Sequence, residues 1–208
     1  EELKGKPHSL IAIDNVPNLS QGETEELIDR IRSLRAMGVG VFMSCRPSNR
    51  QLIHGLGDSI KVNAQMLKVH AYEYSAWASA FSISTSLDFY QLTQGVPELV
   101  SAMQSGLYGQ GDVAQMLENE IVNIYGAALV DLASLENNAL FSVACLMVLM
   151  GEGNISELEA CGVRLSAIDQ SYLVRDYPIF GVDPAGRSFT CLGTEDNARL
   201  RLRKLVAE

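Results

Sequence analysis

"PHSLIAIDNVPN", Pro7–Asn18, is the stretch on which the fold turns. Leu10, Ile11, Ala12 and Ile13 make a short apolar run that ends on Asp14, and Asn15, Val16 and Pro17 follow. Short length, apolar content and a proline on either side predict a strand over Ser9–Asp14 that is buried on both faces, as strands of parallel sheets are. Its last residue raises a choice. Asp14 either opens a turn, a common place for aspartate, or stands at a sheet edge to meet a metal ion and a phosphate.

The next segments make a parallel sheet the expectation. "SQGETEELIDRIRSLRAMG", Ser20–Gly38, reads as a helix. Ser20 and Glu23 have the spacing of a capping box, and Arg30, Arg32 and Arg35 suit the negative end of the helix dipole. Leu27, Ile31 and Leu34 share a face, and Gly38 is a stop. "VGVFMSC", Val39–Cys45, is a second apolar strand and "QMLKVHA", Gln65–Ala71, a shorter third. Strand, helix and strand form a βαβ unit, the signature of an α/β fold.

Beyond Tyr72 the spacing becomes helical. "YEYSAWASAFSI" (72–83), "SLDFYQLTQG" (86–95), "PELVSAMQSG" (97–106) and "DVAQMLENEIVNIYGAALVDLAS" (112–134) predict a small bundle. Trp77 and Phe81 lie on one face, and Pro97 and Gly106 sit where helices begin and end. From Glu136 the pattern changes again. Helices are expected over 138–150, 155–161 and 165–176, followed by strands "PIFGV" and "SFTCL" joined by the turn sequence "DPAGR". Three helices and a hairpin in that order are the layout of a winged helix. A last helix is expected from its cap, Thr194.

Composition narrows the function classes. The chain has 208 residues, 47% hydrophobic and 20% charged, with a formal net charge of -9. That balance opposes a broad nucleic-acid surface, which needs clustered Lys and Arg. Cys45, Cys145, Cys161 and Cys191 are scattered, without disulfide or zinc spacing. His8, His54 and His70 are likewise isolated. The run Ala139–Met150 is too short to span a bilayer, and a charged segment leading into an apolar one is missing at the start. A cytoplasmic protein with no membrane contact is expected. Glu1 in place of an initiator Met is read as the inside of a longer parent chain.

Three motifs, with the helical bundle and winged-helix layout after them, resemble one family in their order. "SLIAIDNVP" looks like the Walker B strand of the STAND class of AAA-related signalling NTPases. "GVFMSCRP" is similar to that class's sensor strand, and "LTQGVPELV" (92–100) to the Gly-x-Pro motif of its helical lid. The bundle and the winged helix follow in the family's order. The resemblance implies an α/β, then all-α, then winged-helix architecture: residues 1–71 as the C-terminal half of a P-loop NTPase core, 72–135 as the lid and 136–208 as the winged helix. It implies ATP or ADP with Mg²⁺ as cofactors of the intact parent. Asp14 would be the Mg²⁺-associated carboxylate, Ser44 and Arg46 the phosphate sensor, and Gly95 and Pro97 would set the lid near adenine.

Two departures shape the expected activity. Where efficient Walker B strands carry a second acid, this chain has Asn15, which can orient water but cannot accept its proton. Hydrolysis is therefore expected to be slow. A G-x-x-x-x-G-K-[ST] loop is missing; "GLYGQGD" (106–112) lacks the lysine and reads as a helix cap and loop. The phosphate loop is expected upstream, so Glu1–Glu208 should bind no nucleotide alone.

The expected partners are neighbouring domains of the same chain: the phosphate-loop half upstream, and sensor or effector domains downstream. Self-association of the parent is compatible with this. The family's bacterial members with this layout are commonly transcriptional regulators. DNA binding by this segment is disfavoured, because Glu136–Glu208 carries seven Lys/Arg against ten Asp/Glu. The basic run "RLRLRK" (199–204) reads as a solvated face or an interdomain contact. Two alternatives stand beside the switch: a DNA-binding winged-helix regulator whose α/β part is only a scaffold, and a degenerate core that binds no nucleotide.

Overall fold

In the computed structural model, which describes residues 9–70, 73, 90, 93–109, 112–135 and 138–193, the chain divides into two units, Glu1–Lys61 and Val62–Glu208.

The first unit is the βαβ element expected, with one addition. Strand β1 (Leu10–Val16) pairs in parallel with β2 (Gly40–Cys45), in a register that sets Ala12 beside Phe42 and Ile13 beside Met43. Helix α1 (Gln21–Ala36) crosses between them. The Ser20–Glu23 capping box forms, and the Ser20 backbone N–H donates to the Glu23 carboxylate at 2.9 Å. Gly38 ends the helix region at φ +80°, where only glycine is comfortable. The added element is a short helix α2 (Arg50–Gly55), too brief to show periodicity. It lies close on α1: a Cβ at Gly55 would come within 2.3 Å of Ile28 Cδ1. Val16, Ile28 and Leu52 form the buried core, with Ile13, Leu27 and Met43 packed on it.

The sheet departs from expectation in burial. Ile13 and Met43 join the core, but Leu10 is 69% and Phe42 65% exposed. Among the described residues only one sheet face is covered. The apolar runs carry residues for two covers and, in the described unit, find one. The third strand expected over Gln65–Ala71 also does not form in its described part, residues 65–70. Ala64–Leu67 is a 3-10 turn instead, with the Asn63 side chain accepting from Met66 N–H at 3.0 Å. Asn63 offers the backbone a local cap, and that competes with strand pairing.

The second unit carries helices α3 (Pro97–Gly109), α4 (Val113–Ala133) and α5 (Asn138–Met150). Then come β3 (Glu152–Asn154), α6 (Ile155–Ala160), α7 (Ala167–Asp176), β4 (Phe180–Val182) and β5 (Ser188–Cys191). Pro97 opens α3 as expected, but Gly106 does not close it, since the helix runs on to Gly109; one glycine costs only ~1 kcal/mol in a helix. Asp112 caps α4, accepting from Ala114 N–H at 3.0 Å. Strand β3 has no counterpart among the expected elements, being a three-residue segment with a central glycine. It pairs with β5, which pairs with β4, all antiparallel. One hydrophobic core joins α3 and α4 to these later elements, from Val96 through Tyr125 and Met147 to Phe189 and Leu192.

The helices expected over 72–83 and 86–95 lie mostly outside the described residues, Trp77 and Phe81 among them. So do His8, the helix expected from Thr194 and the basic run 199–204. No helix among the described residues is long and apolar enough to cross a membrane.

Candidate functional site

Strand β1 does not end straight. The β1–β2 register shifts between Ile13 and Val16, and Asn15 takes φ +53°. Asparagine is among the few side chains that tolerate this left-handed conformation. The bulge changes how Asp14 and Asn15 meet the neighbouring strand, and Ser44 of β2 fills the gap. Its hydroxyl donates to Asp14 Oδ1 at 2.5 Å and accepts from the Asn15 backbone N–H at 2.7 Å. Asp14, Asn15 and Ser44 are thus one hydrogen-bonded cluster at the carboxyl ends of adjacent parallel strands. Ligands of open α/β sheets lie at that edge.

The loops leaving the two strands are laced together. The Arg46 carbonyl accepts from Asn49 N–H at 3.0 Å, closing a tight turn over Arg46–Asn49. Ser48 Oγ donates to Asn18 Oδ1 at 2.9 Å. Asn49 is buried, and its amide donates to the carbonyls of Val16 at 3.2 Å and Pro17 at 3.0 Å. Asn18, Ser48 and Asn49 were not singled out from the sequence. The signal was present in "RPSN", because proline in second place predicts a turn. Arg46 itself is exposed and joins no ion pair among the described residues.

The donor set suits a hard cation. Asp14 is exposed, and its Oδ2 accepts no hydrogen bond among the described residues. The Ser44 hydroxyl donates one bond and accepts one, which leaves it a lone pair. A carboxylate and a hydroxyl match Mg²⁺, which takes one or two protein oxygens and keeps water or phosphate for the rest. No group of three or more His, Cys, Asp or Glu able to hold a metal occurs among the described residues.

Gly95 and Pro97 belong to the second unit. Gly95 has φ +73°, and a Cβ there would lie 2.1 Å from the Val69 carbonyl oxygen. The Val69 N–H donates back to the Gly95 carbonyl at 2.9 Å. Buried Thr93 closes the turn, its carbonyl accepting from Val96 N–H at 2.9 Å. Pro97 then supplies the first residue of α3. Thr93, Gly95 and Pro97 thus each have a structural task.

Buried polar groups fasten α4 to the C-terminal elements. The Tyr125 hydroxyl, fully buried, donates to the Leu192 carbonyl at 2.7 Å and lies 3.3 Å from that of Ile179. Asp131, also buried, accepts from the Tyr177 hydroxyl at 2.6 Å, and the Tyr172 hydroxyl stands 3.4 Å further on. Burial, then the hydrogen bond to Asp131, pushes the Tyr177 phenol far above its ordinary range. At the β4–β5 turn the Asp183 carboxylate accepts from the N–H groups of Ser188 at 2.7 Å and Arg187 at 2.5 Å. These bonds, that to Ser188 first, hold its pKa below the usual carboxylate range.

Comparison with protein-family models, with curated proteins and with solved structures yields no match for this chain.

Proposed function

We propose that the chain is the rear portion of a nucleotide-responsive switch of the STAND type, working inside a longer cytoplasmic signalling protein. The observation that carries it is the Asp14–Ser44–Asn15 cluster, bonded at 2.5 and 2.7 Å on adjacent strand ends. In this reading Asp14, with Ser44 beside it, holds Mg²⁺, and the ion neutralises charge on nucleotide phosphates. The bulge keeps one Asp14 oxygen occupied by Ser44 and leaves the other for the ion. Arg46 follows on the same strand end, where a guanidinium can take a terminal phosphate. Asn15, in the place of a second acid, orients water without taking its proton, so hydrolysis is slow and the bound state persists.

The uncovered sheet face adds support. Parallel sheets are covered on both faces, and Leu10 and Phe42 are 69% and 65% exposed. A phosphate-loop half, supplied by another part of the parent, would complete such a sheet. The order helix, β3, helix, helix, β4, β5 supports a winged-helix assignment for 138–193. In that assignment α7 would read DNA, but its Arg175 pairs with neighbouring Asp176 at 2.9 and 2.5 Å. That favours an intramolecular role over groove binding.

The test is equilibrium binding of labelled ATP and ADP to the parent protein. Arg46→Ala is expected to lower the ATP-over-ADP preference about tenfold or more, since a charge-assisted contact is worth ~1.5–3 kcal/mol. An unchanged ratio would remove the sensor assignment.

A further inference from the structure

An asparagine at the head of a helix ordinarily caps it, its side chain accepting from an N–H of the first turn. Asn49 stands at the head of α2 (Arg50–Gly55) and makes no such bond. Its amide reaches across to β1 instead, donating to the Val16 carbonyl at 3.2 Å and the Pro17 carbonyl at 3.0 Å. Helix α2 forgoes a side-chain cap, and the exits of two strands are joined. A local preference overridden in this way is expected at a functional site.

The bonds around Asn49 close a ring. Cys45 pairs with Val16 in the β1–β2 register. Arg46 follows Cys45, and its carbonyl accepts from Asn49 N–H at 3.0 Å. Asn49 then returns to the Val16 carbonyl. Both ends of the Arg46–Asn49 turn are thus fastened to one residue of β1, two places after Asp14. Pro47, with φ fixed by its ring, stiffens the turn. Asn49 is itself held by α2: its carbonyl accepts from Ile53 N–H at 3.0 Å, and Leu52 of that helix is buried with Val16 and Ile28. The Arg46 backbone therefore keeps a set place relative to Asp14, while Arg46 as a whole stays exposed.

We propose that Asn49 is the positioning residue for Arg46. It holds the backbone that carries the guanidinium at a fixed spacing from the Asp14–Ser44 pair, so that a cation at the pair and a terminal phosphate at Arg46 meet one preset edge. The inference rests on the switch reading, which gives Arg46 its phosphate. A contact whose backbone is already ordered costs less to form. Asn49 confers that advantage on ATP, which carries the terminal phosphate, and not on ADP.

Asn49→Ser in the parent protein tests this. Serine caps a helix about as well as asparagine, but its side chain ends one bond short of the amide nitrogen. Helix α2 keeps a capping residue while the tie to β1 is lost. Equilibrium binding of Mg-ATP and Mg-ADP should show the ATP-over-ADP preference falling about two- to tenfold, the range one net hydrogen bond supplies, with Mg-ADP affinity unchanged. In an Arg46→Ala background the same substitution should change the ratio no further, because both act through one contact. A lowered ratio for Arg46→Ala with none for Asn49→Ser would overturn the positioning role and leave the sensor intact. No change for Arg46→Ala removes the sensor and this inference together. Equal weakening of ATP and ADP by Asn49→Ser, or a further fall in the double variant, assigns Asn49 a structural task only and also overturns the proposal. Amide exchange in the unsubstituted chain without nucleotide guards against a variant that does not fold. Asn49 N–H should exchange no faster than Ile53 N–H; exchange at the rate of an open loop shows that the turn is not preset and overturns the proposal.

Discussion

Gly95→Ala tests whether the glycine between Thr93 and Pro97 is a structural requirement. The added methyl meets two obstacles. Gly95 has φ +73°, and an L-residue in that left-handed region costs about 1–2 kcal/mol. The methyl would also sit 2.1 Å from the Val69 carbonyl oxygen, about 1 Å inside ordinary contact. Backbone lies on both sides, so no side chain can swing away. Relief requires the 69–70 segment to move, at ~1–3 kcal/mol for such overpacking. It also strains the 2.9 Å hydrogen bond from Val69 N–H to the Gly95 carbonyl, worth ~1 kcal/mol net.

The costs sum to roughly 3–6 kcal/mol, a large part of the ~5–15 kcal/mol that holds an ordinary domain together. Thermal unfolding followed by circular dichroism should show a midpoint lowered by about 10–15 °C. Adjacent Gln94 supplies the internal control. It is exposed with φ +47°, so Gln94→Gly relieves left-handed strain, offset in part by added freedom of the unfolded chain. Its midpoint should stay level or rise by a few degrees. A Gly95→Ala protein with an unchanged midpoint would refute the clash, and the glycine would then have to be explained by something other than its approach to Val69.

Other expectations follow from single contacts. Tyr125→Phe removes the donor that satisfies the buried Leu192 carbonyl at 2.7 Å and should cost ~1–3 kcal/mol in chemical denaturation. Tyr177→Phe leaves the buried Asp131 carboxylate without its 2.6 Å donor; the loss should be at least as large, and Tyr177→Phe/Asp131→Leu should recover part of it. Asp183 has a folded pKa below its unfolded one, so its contribution is present above the ordinary carboxylate pKa and is lost as pH falls through the lower folded value. Asp183→Asn should flatten that part of the stability–pH curve below about pH 4, read by thermal unfolding in a pH series. Asn15→Val should destabilise the β1 bulge while Asn15→Gly is tolerated, because φ +53° excludes β-branched residues; amide exchange at Asn15, whose N–H donates to Ser44 at 2.7 Å, checks it.

The βαβ unit was legible because its cues are local and agree. The capping box, a four-turn apolar face and a stop glycine all concern neighbours within four residues. The same holds for α5 (Asn138–Met150), whose bounds match the reading. Failures fall where the deciding partner is distant. Gln65–Ala71 has strand composition, yet Met66 and Leu67 remain 61% and 59% exposed. A strand needs an edge to pair with, and Asn63 offers a nearer bond. Strand β3 exists because β5, more than thirty residues later, comes to lie beside it. At the site, Asp14 and Ser44 each stand out separately, as the polar residues that close two apolar runs. Their 2.5 Å bond depends on a bulge whose only trace is an asparagine after an aspartate.

The packing of the second unit constrains how its elements separate. The sequence pattern changes near residue 135, between α4 and α5. Yet Tyr125 and Asp131 of α4 bond to Leu192 and Tyr177 across that line. Both partners are buried, and one hydrophobic core runs from Val96 to Leu192. Opening there would expose a carboxylate's and a phenol's bonds to water together with the apolar groups around them. Breaking a buried polar pair costs more than parting an exposed one, because each orphaned group loses its compensation. A motion that separates α4 from β5 is therefore the expensive one. Hydrogen exchange that reports Tyr177 and Leu192 amides opening together with α4, and not ahead of it, is the behaviour this packing requires.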